Sequence, residues 1–193
     1  RCRSYFDASL DRRIDNGNHL VLSGNREVGE YLSHISASGA LAGPDRAAYP
    51  FLDLASGNRW TVEMGAGAIP WWIFSADRRV PGSTAWDYLA ALRLAWAGEN
   101  DTVAGCLDPK NPLFEKFWEP LAVGILNTAP GEGAAALLWP VIRETFGRGE
   151  ASCRPRIARV GLSETFIDPA LAFLAANGAT VHLNTRLRAL GMD

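Results

Sequence analysis

The polar run Ile14-Asp15-Asn16-Gly17-Asn18-His19 constrains how the start of this chain can be laid out. It sets an acid, two amides, a glycine and a histidine between Arg3-Ser4-Tyr5-Phe6 and Leu20-Val21-Leu22, which both read as strands. The run is therefore expected to be a tight connection between them. Gly17 can take the positive φ that such a bend needs, and its missing Cβ lets a flat ligand come close to the backbone.

Beyond Leu22 the pattern mixes α and β. Glu27-Val28, Tyr31-Leu32 and Ile35 recur at helical spacing, which predicts a helix over about 25–37 ended by Ser38-Gly39. Phe51-Leu52-Asp53-Leu54 and Trp60-Thr61-Val62-Glu63-Met64 flank Ala55-Ser56-Gly57-Asn58, a hairpin signal. The clearest amphipathic helix is expected over about 84–97, with Trp86, Leu89, Ala90, Leu92, Arg93 and Trp96. Asn111-Pro112 supplies an N-cap and a first-turn proline for a helix reaching about Leu126. Further helices are expected from about Gly133 to Phe146, and from Asp168-Pro169 to the stop at Asn177-Gly178. The tail, about 179–184 and 186–190, reads as two short strands. The fold class is thus α+β, with strand-rich ends and a helical centre.

Composition narrows the function. At 193 residues and 48% hydrophobic content the chain can bury a sizeable core. It holds no run of eighteen apolar residues, so no membrane-spanning helix is expected. A net charge of −2 without blocks of like charge argues against a nucleic-acid groove. Cys2, Cys106 and Cys153 are odd in number and widely spaced, so neither a metal site nor a disulfide framework is expected and a reducing cytoplasm is the default.

The polar run resembles the segment that follows the GGR flavin-contact motif in FAD-dependent amine oxidase and phytoene desaturase-like enzymes. With Arg3-Ser4-Tyr5, Asp7 and Leu22-Ser23-Gly24-Asn25 added, it is similar to one branch: the squalene-associated FAD-dependent desaturases of hopanoid biosynthesis, or hydroxysqualene dehydroxylases. The similarity continues through Pro70-Trp71-Trp72-Ile73-Phe74, the stretch from Phe114 to Val123, Leu126-Asn127-Thr128, and the stretch from Gly178 to Leu190.

The resemblance implies a mostly helical substrate domain flanked by strands of a flavin-binding domain. Residues 1–22 would be returning strands with a flavin-facing loop. Residues 23–178 would bind substrate, with a hairpin near 50–64, and residues 179–193 would re-enter the FAD domain as a strand pair. It further implies that Arg1 is the arginine of GGR and that Arg1, Asn16, Gly17 and Leu187 contact FAD, whose GxGxxG loop lies outside this chain. Relatives often carry valine at the position of Leu187. Phe117, Trp118, Leu121 and Asn127 would contact substrate.

The implied reaction is reductive dehydroxylation of hydroxysqualene to squalene. Hydride would come from reduced FAD, with protonation of the leaving oxygen and exclusion of water by an apolar pocket. A carotenoid or phytoene desaturase-like enzyme would run hydride the other way, and a lipid-binding module without redox chemistry is a third reading. The partners implied are a polyprenyl or triterpene substrate, a membrane surface and other enzymes of the hopanoid pathway. The location implied is cytoplasmic, peripheral on the inner face of the membrane. The chain by itself is expected to be inactive and to hold no FAD.

Several residues carry two readings. His19 and Asp15 are catalytic candidates; His19 alternatively serves as a hydrogen-bonded structural residue, and Asp15 as a brace that accepts backbone hydrogen bonds. Trp71, Trp72 and Phe74, followed by Arg78-Arg79, read either as a core corner or as a membrane contact with arginines at the headgroup level. Phe114, Phe117, Trp118, Leu121 and Ile125 form one helical stripe, either core or cavity wall. Gly65-Ala66-Gly67 and Gly131-Glu132-Gly133 imitate dinucleotide motifs, but neither follows a strand and opens a helix as such a site requires. The second is expected to be a glycine-rich corner between helices.

Overall fold

A computed structural model describes residues 2–17, 20–186, 188 and 189. Arg1, His19 and Leu187 therefore lie outside the described residues. The chain forms two compact units: residues 1–20, 26–42 and 156–193 make the smaller, and residues 21–25 and 43–155 the larger.

The smaller unit begins with an antiparallel hairpin, β1 (Ser4–Asp7) on β2 (Arg12–Asp15), with Tyr5 opposite Ile14. This corrects the expected layout. The reversal falls at residues 8–11, where Asp11 takes φ 48° and the Asp7 carboxylate receives the amides of Ser9 and Leu10. An Asx turn of this kind reverses the chain without glycine. Ile14 and Asp15 are consequently strand residues, and the polar connection starts only at Asn16.

Helix α1 (Arg26–His34) ends earlier than expected. Ser36 adopts φ 59°, Ala37 N–H returns to Leu32 O at 2.7 Å and Ser36 N–H to Ser33 O at 3.1 Å. That Schellman closure, with a serine in the glycine position, stops the helix before Gly39 is reached. Leu32 on the helix and Ile35 and Ala37 just past its end are buried together, with Val28, Leu41, Phe166 and Ala170 packed against them. Strand β4 (Leu41–Ala42) pairs antiparallel with β7 (Pro155–Ala158).

The unit closes with a π turn, Ser163–Ile167, running into α6 (Asp168–Ala176). Asp168 N–H reaches back five residues to Ser163 O. Pro169 has no N–H and would clash with the carbonyl four residues earlier, so the wide turn relieves it. Gly178, at φ 76°, terminates α6 where expected, and none of the described residues beyond it is in a strand. Extended residues need a partner ladder to count as strand, and these are exposed without one.

The larger unit takes in β3 (Val21–Leu22), held there through Ser23 N–H to Arg154 O at 2.9 Å. The expected hairpin is β5 (Ala48–Leu52) on β6 (Arg59–Glu63), with Phe51 opposite Trp60 and their rings stacked at 5.6 Å. A 3-10 turn, Trp71–Phe74, precedes α2 (Ala85–Leu89), which tightens into 3-10 helix over Ala90–Trp96. At three residues per turn the buried positions become Tyr88, Ala91 and Leu94. Trp86 and Trp96, assigned to the apolar face by an α-helical period, are instead 78% and 79% exposed.

After α3 (Val103–Cys106), Asn111 caps the next helix by accepting Leu113 N–H at 2.8 Å. A second π turn, Phe114–Trp118, leads into α4 (Glu119–Leu126), with Glu119 N–H bonded to Phe114 O just before Pro120. Helix α5 (Ala135–Glu144) follows the corner at Gly131-Glu132-Gly133. Gly133 is buried, and a Cβ there would come within 3.0 Å of Leu126 Cδ1. Gly149, at φ 84°, sits so close to Gly67 that a Cβ would lie 2.1 Å from the Gly67 carbonyl. One glycine of each pair, Gly133 and Gly67, is thus engaged in close packing.

The unit's far end is pinned by Glu150. Its carboxylate accepts Ala47 N–H at 2.8 Å and a two-pronged Arg154 guanidinium at 2.9 and 2.8 Å. Those bonds hold Glu150 below the usual carboxylate pKa. Cys153 beside it is fully buried, and that burial pushes its thiol up to about 12.

Candidate functional site

In the larger unit the 3-10 turn, α2 with its continuation, the second π turn and α5 converge on an open apolar cavity of about 250 Å³. Trp72, Ile73, Tyr88, Phe117, Trp118 and Trp139 supply most of its wall, with Ile142 and Phe146 beside them. Arg143 is the one charged side chain in the lining. Phe117 is the hub: its ring lies 4.8 Å from Trp118, 5.6 Å from Tyr88, 6.0 Å from Phe146 and 6.3 Å from Phe51. Trp72 meets Tyr88 edge-on at 5.1 Å. Rings set at these angles lock one another's orientation. The cavity wall is thus preformed.

The π turn is what aims Phe117 and Trp118 together. An uninterrupted α-helix would carry its apolar residues round by 100° each; the extra residue that Pro120 demands redirects the stripe at that point. Leu121 and Ile125, further along, pack against the core rather than the cavity. Asn127 is exposed and takes φ 52° as the left-handed cap of α4. Of the four substrate candidates, two reach this cavity. Tyr88, Trp139, Ile142 and Phe146 were missed, although Trp139, Ile142 and Phe146 share an i, i+3, i+7 stripe on a helix that was foreseen.

Tyr88 contributes its ring alone. Its hydroxyl accepts Val80 N–H at 2.9 Å, and burial raises the phenol's pKa. A second, polar cavity of about 210 Å³ lies over Asp87, Asp108 and Asn111. There the Asp87 carboxylate is occupied by Thr84 N–H at 2.6 Å and Asn111 Nδ2 at 2.6 Å. It is a helix-capping cluster.

The aromatic triplet splits. In a 3-10 turn residues i and i+3 share a face, so Trp71 and Phe74 stand together, 66% and 60% exposed, their rings 6.1 Å apart. Trp72 and Ile73 face inward, at 6% and 2%. Trp72 is therefore core, not a membrane contact. Arg79 braces the turn through Nη1 to Ile73 O at 2.9 Å.

In the smaller unit Asp15 is a brace. Its Oδ1 accepts Ser4 Oγ at 2.5 Å and Leu162 N–H at 3.0 Å. Ser4 and Ser163 then exchange bonds, each amide donating to the other's hydroxyl at 2.8 and 2.9 Å. Gly161 fits beneath because a Cβ would come within 2.8 Å of Ser4 Oγ. Asn16 extends the hairpin by giving its N–H to Arg3 O and accepting Arg3 N–H, both at 2.9 Å. Gly17 comes next, in a bend. Ser4, Gly161 and Ser163 gave no periodic signal in the sequence, since 157–159 residues separate the partners along the chain.

These features define an α+β chain whose larger unit is built round an apolar, aromatic-walled cavity. No family model matches it. Three curated relatives do. The hydroxysqualene dehydroxylase of Sinorhizobium fredii is 43% identical over 190 residues, 98% of this chain and 46% of its own length. Those of Rhodopseudomonas palustris and Zymomonas mobilis are each 44% identical, over 98% and 97% of this chain and 46% and 45% of their own. The chain spans about half the length of the curated relatives it matches. The resemblance read from its motifs is thus matched by similarity along almost the whole chain to about half of each of these hydroxysqualene dehydroxylases.

Proposed function

We propose that this chain is the substrate-binding portion, with part of the flavin-facing strands, of an FAD-dependent oxidoreductase that dehydroxylates hydroxysqualene to squalene in hopanoid biosynthesis. The similarity to proteins of that name over almost the whole chain carries the reading. The apolar cavity supports it, because a triterpene offers little but hydrocarbon for a protein to hold. The flavin-facing assignment of residues 1–22 and 179–193, and of Arg1, Asn16, Gly17 and Leu187, belongs to this proposal, as does a catalytic part for His19.

The described residues do not fit the whole cofactor. Gly133 is packed against Leu126 and the Gly67 backbone against Gly149, and neither glycine pair joins the end of a strand to a helix N-terminus as a phosphate cradle requires, so in this reading the FAD phosphates are held elsewhere in the full-length protein. The reaction replaces C–OH by C–H, consuming a hydride equivalent and a proton and releasing water, and a reduced flavin bound in the full-length protein would supply the hydride equivalent. What this chain supplies is an apolar seat that keeps water from the substrate.

Among the described residues no helix is long and apolar enough to cross a membrane. Trp71 and Phe74 support peripheral contact instead, since exposed aromatic rings beside arginines suit the headgroup boundary. The test of function is to give the full-length protein hydroxysqualene with reduced FAD and analyse the products. Squalene is expected. A dehydrogenated polyene formed only with oxidised FAD would replace this reading with the desaturase one, and no product from either would leave lipid binding.

A further inference from the structure

The cavity is far too small for a C30 substrate. An apolar protein cavity of about 150 Å³ takes benzene, six carbons, so about 250 Å³ holds about ten. We propose that it seats two isoprene units at one end of an acyclic isoprenoid chain, and that the carbon losing its hydroxyl lies outside it. This rests on the proposed function.

Three observations support that assignment. The wall is aromatic and aliphatic, and its rings are locked by mutual edge-on contacts, which suits a flat, branched, unsaturated chain better than a flexible polar one. No acid or base in the lining is available for chemistry: Tyr88 has its hydroxyl turned to Val80, and Arg143 is a permanent cation. Polarity is also one-sided. Arg143 carries an exposed side chain while Phe117 and Trp118 are buried, so an amphiphilic chain enters with its apolar end first and leaves its polar end by the guanidinium. The cavity then acts as a ruler for one arm of the substrate and does not take part in the reaction.

The experiment is a binding series on the full-length protein. Straight-chain alcohols of six to fourteen carbons, then geraniol, farnesol and geranylgeraniol, are titrated while emission from Trp72, Trp118 and Trp139 is followed. Affinity is expected to rise about fourfold per buried methylene up to about ten carbons, and less than twofold for each isoprene unit added beyond geraniol. Ala91 is a buried residue of the wall, where added bulk would take up cavity space. Ala91→Leu adds three carbons to the lining and should move the break down by about that length. Ala68 is an exposed wall residue where a larger side chain does not disturb the core. Ala68→Trp should weaken geraniol binding at least tenfold with an unchanged melting temperature. Affinity that climbs undiminished to farnesol, or geraniol binding that Ala68→Trp leaves unchanged, overturns the proposal. A protein that shows the ten-carbon break yet makes no squalene would sink the proposed function and leave the ruler standing.

Discussion

The two units hold themselves together by different chemistry. The larger is organised by rings: Phe117 touches four other aromatics, and what they leave unfilled is the apolar cavity. The smaller has, among the described residues, a small buried apolar cluster of Leu32, Ile35 and Ala37 and relies on a hydrogen-bonded latch of Asp15, Ser4 and Ser163. The contrast teaches that the most distinctive motif need not hold the free functional groups. Asp15 stands in the run that pointed to a flavin, and its described bonds are spent on fastening strand β2 to the start of the last helix. The aromatic stripe of the larger unit looks like ordinary core, and two of its members wall the site.

The largest test of this difference is Phe117→Ala. Removing a buried ring that four others lean on should cost about 3–5 kcal/mol, read as a sharp fall in melting temperature and in chemical midpoint. A loss below about 1 kcal/mol would mean the rings pack loosely and the cavity is not preformed. Asp15→Ala should come next. It strands the Leu162 amide and the Ser4 hydroxyl, a cost of about 1–3 kcal/mol. Asp15→Asn keeps an acceptor oxygen and should recover part of it. In the full-length protein, turnover that falls in step with stability marks a brace. Turnover lost in Asp15→Asn at wild-type stability would make the carboxylate chemical.

Much of this fold could be read from the sequence, and the misreadings have physical causes. The hairpin over β5 and β6, the Asn111 cap and the Gly178 stop all rest on local turn chemistry, which a short window contains. The α2 region was read with a period of 3.6, but past Ala90 it runs at three, which exchanged Trp86 and Trp96 for Ala91 and Leu94 on the buried face. The first reversal was assigned to Gly17 because glycine is the stronger turn signal, whereas Asp7 and Asp11 make the turn. Both π turns precede a proline, a local rule that can be applied to sequence. The Ser4–Ser163 latch cannot be read that way, because nothing local links residues so far apart.

A smaller effect separates the units by pH. Arg154 holds Glu150 below its ordinary pKa of 4.5, so the folded state binds that proton more weakly than the unfolded one. The stabilisation is therefore complete above about pH 4.5 and is lost as pH falls through the folded value. Melting curves from pH 6 to 3 should show a downward slope that Arg154→Gln flattens, whereas Asp15→Asn leaves this component in place. An identical slope in Arg154→Gln would mean the clamp contributes nothing.

The smallest effect on stability is expected where exposure is greatest, and it divides a single turn. Trp71 and Phe74 are more than half exposed, so Trp71→Ser with Phe74→Ser should change stability by no more than about 0.5 kcal/mol. Trp72→Ala, one residue away but 6% exposed and packed on Tyr88, should cost about 3–5 kcal/mol. Lipid binding should reverse that order. Two rings inserted at the headgroup boundary contribute on the order of 1 kcal/mol or more each through buried apolar area. The exposed pair's double substitution should therefore weaken flotation of the full-length protein with anionic vesicles about tenfold or more. Arg78, exposed four residues after Phe74, adds a salt-dependent share that Arg78→Ser should remove. Flotation unchanged in the Trp71/Phe74 double variant, at an unchanged melting temperature, would take the membrane away from this turn and leave the exposed rings without a partner.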